Sequence, residues 1–346
     1  MKRVGILTGG GDCPGLNPAI RGVARTAATC GWQLVGLRDG WRGALEGIER
    51  PISPTDIDDL LVRGGTILGS SRTNPYKEKD GTTRIRAGME KLNLKALIAA
   101  GGEDTLGVAA KLFKEGLPVV GIPKTIDNDL DGTDLTLGFA TAVQIVSDTL
   151  DRIRTTAESH SRIMVVEVMG RHAGWLAAYG GIAGGADLTL VPEYPVNVKE
   201  VLAAVESCRK RGKYYSMIVV AEGAKLLGHD GKEISEASEH AVDDFGHVRL
   251  GGIGERITEI LKKEGGYDAR NTILGHAQRG GTPNAFDRIL STSFGVQAMK
   301  LVEAGDFGKM PALRDGKITV IPLEAAVANL KTLTAELYDF AKVFFG

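Results

Sequence analysis

The sequence predicts an α/β fold of two lobes, each a mostly parallel sheet flanked by helices, with the active site in the cleft between them. Three observations predict it. Short apolar runs recur along the chain, and stretches with helical spacing separate them. At 346 residues the chain also exceeds one compact domain, so two lobes of about 150 to 200 residues follow.

The first run, Val4-Gly5-Ile6-Leu7, follows Met1-Lys2-Arg3 and stops at Gly9-Gly10-Gly11, which marks a first strand rather than a signal peptide. Leu16, Ile20, Val23 and Ala27 then share one helical face. Leu34 to Leu37 gives a second strand, and Ser53-Pro54-Thr55 opens a helix over Asp56 to Val62. Ala96 to Ala99 and Val119 to Ile122 are further strands, and Val143, Val146, Leu150 and Ile153 line a helix. Ile163 to Val166 and Ile218 to Val220 complete the set, with Asn197 capping a helix from Val198 to Arg211 between them. Runs without polar alternation are buried on both faces, and strand alternating with helix makes a parallel sheet. The polar stretch from Leu226 to Asp244 reads as a surface excursion.

With 42 basic and 43 acidic residues the chain lacks the long-range field that nucleic acid or an anionic membrane would need, so any anion site is a local cluster. Cys13, Cys30 and Cys208 are odd in number and widely spaced, which excludes a disulfide framework and a CxxC zinc site and suits a reducing, cytoplasmic compartment. No span approaches 18 apolar residues, so no membrane helix is expected. The 47 glycines, nearly twice the roughly 7% average, fit tight turns against phosphates.

Three loops carry the chemistry. Gly9 to Asn17 links a strand to a helix, where bare amides and a helix N-terminus can hold an anion, yet it is neither GxGxxG nor a Walker loop. Gly101-Gly102-Glu103-Asp104-Thr105 follows a strand, and its two acids are oxygen ligands suited to Mg²⁺. Pro123 to Asp129 puts Lys124, Asp127 and Asp129 together; phosphoryl transfer to a hydroxyl needs a carboxylate for the proton and a cation for the moving group, and Asp127 and Lys124 fit those roles. Arg72, Arg162, Arg171, Arg270 and Arg279 stand beside such turns, where guanidinium clamps phosphate, and His276 is a hydrogen-bonding ligand rather than a zinc ligand.

Together the Gly-Gly-Asp-Cys-Pro-Gly-Leu-Asn turn, Thr125 to Asp129, Met169 to Gly174, Ala221-Glu222-Gly223 and Gly275 to Gly281 resemble the 6-phosphofructokinase family. The resemblance implies that Asp127 is the general base on the 1-hydroxyl of fructose 6-phosphate and that Arg171 holds the sugar phosphate and transition state. It implies that Thr125, Asp129, Met169, Gly170, Glu222, His276 and Arg279 line the sugar-phosphate site, while Gly11, Arg72 and Glu103 serve donor and metal. Arg162 and Arg270 would reach in from a neighbouring subunit of a homo-oligomer, a dimer or tetramer. The lobes are expected at 1–138 plus about 277–305 for donor and Mg²⁺, and at 139–276 plus about 306–346 for the sugar phosphate.

In that family ATP users carry glycine at the positions of Asp104 and Lys124, whereas pyrophosphate users carry aspartate and lysine, as here. A carboxylate at Asp104 would repel the α-phosphate of ATP, and Lys124 would attract the smaller donor. Glu103 departs from the more frequent aspartate, which implies a shifted metal. Three other readings stand beside pyrophosphate-dependent transfer: an ATP-dependent phosphofructokinase, a catalytically silent sugar-phosphate sensor, and a GGDGT-type lipid or NAD kinase, for which Gly275 to Gly281 has no use.

Overall fold

The computed structural model describes residues 1–52, 54–234 and 251–346. In chain order its strands are β1 (Lys2–Thr8), β2 (Trp32–Leu37), β3 (Glu49–Arg50), β4 (Leu94–Gly101), β5 (Val119–Pro123), β6 (Ile163–Val168), β7 (Leu188–Leu190), β8 (Val196–Asn197), β9 (Ser216–Ala221), β10 (Leu226–Leu227), β11 (Ala269–Ile273), β12 (Lys309–Arg314) and β13 (Lys317–Pro322). The helices are α1 (Leu16–Thr29), α2 (Trp41–Glu46), α3 (Pro54–Asp59), α4 (Gly81–Lys91), α5 (Glu103–Lys114), α6 (Phe139–Ser159), α7 (Trp175–Ala183), α8 (Val198–Lys210), α9 (Ile253–Lys263), α10 (Ala285–Ala304), α11 (Leu323–Ala326) and α12 (Ala335–Lys342). The chain divides into two compact units, Met1–Ile126 with Leu130–Thr141 and Arg279–Leu330, and Asp127–Asp129 with Ala142–Gln278 and Lys331–Gly346.

The first unit holds a sheet in the order β3-β2-β1-β4-β5, parallel except for β3. The central strands β1 and β4 are buried along nearly their whole length, as apolar runs with helices on both faces must be. Helices α1 and α10 pack closely because both present glycine: a Cβ on Gly22 would sit 2.6 Å from the Thr292 carbonyl, and one on Gly295 2.2 Å from the Ala19 carbonyl.

The β12–β13 hairpin is a correction. Residues 306–330, expected in the second lobe, belong to the first unit. Met310, Ala312, Ile321 and Leu323 bury their side chains in the same core as Leu97, Leu106 and Val119, and the Gly308 N–H donates to the Val119 carbonyl at 2.8 Å. A short amphipathic hairpin goes where its apolar face is covered, which local sequence does not encode.

The second unit holds a sheet in the order β11-β6-β9-β7, all parallel, with a separate core of Ile163, Val165, Ile218, Val220, Ile257 and Leu261 among others. Asn197 starts α8 with a full capping box, its side chain accepting from Lys199 and Glu200 reaching back to the Asn197 N–H. The helix expected over Asp56 to Val62 is α3 followed by a 3₁₀ turn at Leu60–Val62; its proposed cap Ser53 lies outside the described residues. Of the polar stretch from Leu226, β10 pairs with β8, and the part from 235 on lies outside the described residues.

Candidate active site

In the first unit the three expected loops leave neighbouring parallel strands. β1, β4 and β5 are adjacent, and Gly101 of β4 registers with Pro123 of β5. The Gly9 N–H donates to the Ala100 carbonyl at 2.9 Å and the Lys124 N–H to the Gly101 carbonyl at 3.0 Å, so each loop begins as an extension of the ladder. Thr105 shows why Gly9 and Gly101 bear no side chain: a Cβ there would lie 2.5 and 2.6 Å from its hydroxyl oxygen. Glu103 and Asp104 form the exposed first turn of α5, where the helix dipole favours carboxylates.

Lys124 is only 3% exposed, and its ammonium turns back onto the first loop, donating to the Gly11 carbonyl at 2.5 Å. A buried lysine needs such oxygen partners, because desolvating an unpaired ammonium is costly. Gly11 itself lies under Arg279, whose Nη1 stands 2.5 Å from where a Cβ would be and 3.4 Å from the Asp12 carbonyl. Arg279, expected among the sugar-phosphate residues, thus stands in the first unit against the glycine turn.

A cavity of about 530 Å³ opens beside that turn, lined by Gly10, Gly11, Asp12, Arg63, Gly64, Gly65, Thr66, Ser70, Ser71 and Arg72. Of its walls, the sequence singled out the glycine turn and Arg72. The Arg63 to Thr66 wall went unnoticed, although an arginine before two glycines and a hydroxyl is itself an anion-type pattern. The fully buried Asn17 holds that wall in place: its amide donates to the carbonyls of Arg63 at 3.1 Å and Gly64 at 3.0 Å, and its oxygen accepts the Ile67 N–H at 2.9 Å.

In the second unit, Asp127 and Asp129 flank Asn128, a buried residue in the left-handed region with φ 54°. Glu222 leaves the end of β9, with its N–H on the Val168 carbonyl at 2.8 Å. Met169 donates its N–H to the buried Gln278 side chain at 3.3 Å, and Gly223 lies so close to Arg171 that a Cβ would meet the Arg171 carbonyl at 2.0 Å. The Glu222 carboxyl is pushed up to about 7, first by burial, then by the charges of Asp127 and Glu167, with Arg171 and the Gly170 N–H pulling the other way. Asp127, Arg171, Gly170 and Glu222 are therefore one electrostatic group. His276 is exposed on the 3₁₀ turn Gly275–Arg279 that follows β11.

Arg162 and Arg270 are not part of that group. Both pair with Asp268, at 2.8 and 2.5 Å, where β6 and β11 begin. Met169 to Arg171 and Glu222 lie at the far ends of β6 and β9, and a six-residue strand such as β6 spans about 20 Å. Among the described residues no cluster of three or more His, Cys, Asp or Glu side chains could hold a metal by itself. No helix of the described residues is long and apolar enough to cross a membrane.

Parallel sheets whose carboxyl edges carry glycine turns, a buried lysine and a carboxylate loop have the build of an α/β enzyme that handles phosphate. A family model described as phosphofructokinase matches residues 3–302. The pyrophosphate–fructose 6-phosphate 1-phosphotransferase of Amycolatopsis methanolica is 55% identical over 345 residues, covering 99% of this chain and 100% of that one. The ATP-dependent 6-phosphofructokinase of Corynebacterium efficiens is 47% identical over 348 residues, 99% of each chain. Among solved structures, a phosphofructokinase of Saccharomyces cerevisiae superposes with a TM-score of 0.81 at 32% identity, over 95% of this chain and 45% of that one. The chain belongs to the phosphofructokinase family and is a phosphotransferase.

Proposed function

We propose that the protein transfers a phosphoryl group reversibly from pyrophosphate to the 1-hydroxyl of fructose 6-phosphate, giving fructose 1,6-bisphosphate and phosphate. The observation that carries the donor assignment is the Lys124 ammonium seated on the Gly11 carbonyl, which puts a fixed positive charge at the glycine turn. The name of the Amycolatopsis methanolica relative supports the same reading.

The donor residues are Gly11, Arg72, Asp104 and Lys124, and the sugar-phosphate residues are Thr125, Asp127, Asp129, Met169, Gly170, Arg171, Glu222, His276 and Arg279. Asp127 accepts the proton of the 1-hydroxyl as that oxygen bonds to phosphorus and the bridging P–O bond breaks, with phosphate leaving. Arg171 and Lys124 neutralise the charge that builds on the phosphoryl oxygens. The exposed carboxylate of Glu103 suits Mg²⁺, which takes one or two carboxylates plus phosphate oxygens and waters and would neutralise donor charge.

Arg162 and Arg270, at the opposite end of the sheet from Glu222, serve the site of a neighbouring copy in a homo-oligomer. Three free cysteines agree with a cytoplasmic enzyme. Steady-state assay of purified protein with fructose 6-phosphate and either donor tests the assignment: turnover with pyrophosphate is expected, and turnover with ATP alone overturns it in favour of the ATP-dependent reading.

A further inference from the structure

The segment Lys331–Gly346 lies beyond the end of the family match at residue 302 and returns to the second unit. Its first residue meets the carboxylate loop directly: the Lys331 N–H donates to the Asp129 carbonyl at 2.9 Å. The Lys331 carbonyl accepts from the Trp175 indole N–H at 2.8 Å, and its ammonium lies 4.9 Å from the centre of that ring. Two residues on, the Leu333 N–H donates to Glu193 at 2.8 Å. The same carboxylate accepts the Gly174 N–H at 2.9 and 3.1 Å, and Gly174 caps α7 three residues after Arg171.

These contacts converge on a loop that cannot hold its own shape at no cost. Asn128 sits in the left-handed region between Asp127 and Asp129, a conformation that asparagine tolerates better than other non-glycine residues but that still costs more than the right-handed one, so packing around it helps to hold it. Downstream, Tyr338 of α12 anchors the segment, stacked on Tyr194 at 4.5 Å with its hydroxyl 3.4 Å from the Thr189 carbonyl.

We propose that Lys331 to Leu333 is a positioning strap that fixes the Asp127–Asp129 loop relative to the Arg171–Gly174 loop, with Glu193 as its anchor. It rests on the roles proposed above for Asp127 and Arg171. Because the strap acts on the placement of base and cation rather than on donor contacts, it governs kcat and leaves KM for pyrophosphate nearly unmoved.

The test compares Lys331→Pro with Lys331→Ala. Proline removes the N–H that reaches Asp129, while alanine keeps both main-chain groups and loses only the ammonium. Proline also asks the preceding residue to be extended, which suits Leu330, bridged antiparallel to Leu130. The expected result is a kcat at least tenfold lower for Lys331→Pro than for Lys331→Ala, with KM for pyrophosphate within twofold. Amide hydrogen exchange of the peptide spanning 125–130 should lose at least tenfold of its protection in Lys331→Pro alone. Equal kcat and equal exchange in the two folded variants overturn the strap. If Lys331→Pro does not fold, Glu193→Gln against Glu193→Ala decides: recovery by Gln of at least threefold of the kcat lost in Ala supports the anchor, and no recovery overturns it. The exchange readout needs no turnover, so it separates failure of the strap from failure of the proposed reaction.

Discussion

The Nζ of Lys124 donates to the main-chain carbonyl of Gly11 at 2.5 Å, joining loops 113 positions apart in the sequence. The end of β5 is thereby locked to the turn after β1 across the intervening β4. Replacing Lys124 with glycine removes the charge and the tie together. The kcat/KM for pyrophosphate is expected to fall by about 100-fold or more, the scale of losing one charge-assisted contact to a transferring phosphoryl group. Adding Asp104→Gly should then raise the ratio of ATP to pyrophosphate turnover, which steady-state kinetics with both donors measures.

Gly11→Ala separates folding from function. The new methyl meets the end of the Arg279 side chain, which can swing aside, rather than backbone. The Tm should stay within about 2 °C, as for a change costing under about 1 kcal/mol, while kcat/KM falls at least about tenfold because the guanidinium leaves the turn. Thermal melts and kinetics on the same preparation check both halves.

Glu222 should make stability fall with rising pH. Its folded value, about 7, lies above the ordinary 4.5, so between those values the folded protein binds more protons than the unfolded chain. Stability is then lost as pH rises through that window and levels off above it. Glu222→Gln removes the slope: wild type and variant should melt alike near pH 4.5 and diverge towards pH 8, with the variant more stable by on the order of 2 kcal/mol after partial exposure is discounted. Coinciding pH profiles of Tm would refute this.

Asp287 is a structural knot. Fully buried, it accepts from the Gly138 N–H at 2.9 Å and from the N–H and hydroxyl of Thr141 at 2.7 and 2.6 Å, and burial raises its pKa despite those bonds. Asp287→Ala leaves three buried donors unsatisfied, a loss of about 3 to 5 kcal/mol, which for a protein of this size lowers Tm by about 4 to 7 °C. Asp287→Asn, which keeps a carbonyl acceptor, should lose less than half of that by calorimetry.

Strands β1, β2, β4, β5, β6 and β9 were legible because a strand buried on both faces writes itself as an unbroken apolar run, as Ala96 to Ala99 and Val119 to Ile122 do, whereas the three-residue β7, the partly exposed β11 and the hairpin strands β12 and β13 carry no such run. The loops after β1, β4 and β5 were legible because ligand loops at strand ends carry glycine and charge together. β3, β8 and β10 were not, since two residues hold no period. Nor was the cavity wall at Arg63 to Thr66, because what shapes it is Asn17, whose partners lie 46 to 50 positions away. The strap at Lys331 escaped for a related reason: it works through main-chain N–H groups, which every residue but proline possesses.

The glycine contact between α1 and α10 also bears on how the molecule is made. Residues 22 and 295 must meet before the first unit is complete, so its core cannot close while the ribosome is still delivering the second. During that interval β1, β4 and β5 wait with one flank uncovered, and so large a sequence separation slows closure further. The second unit, whose sheet draws on a continuous stretch of chain, is placed to fold ahead of the half that was synthesised first.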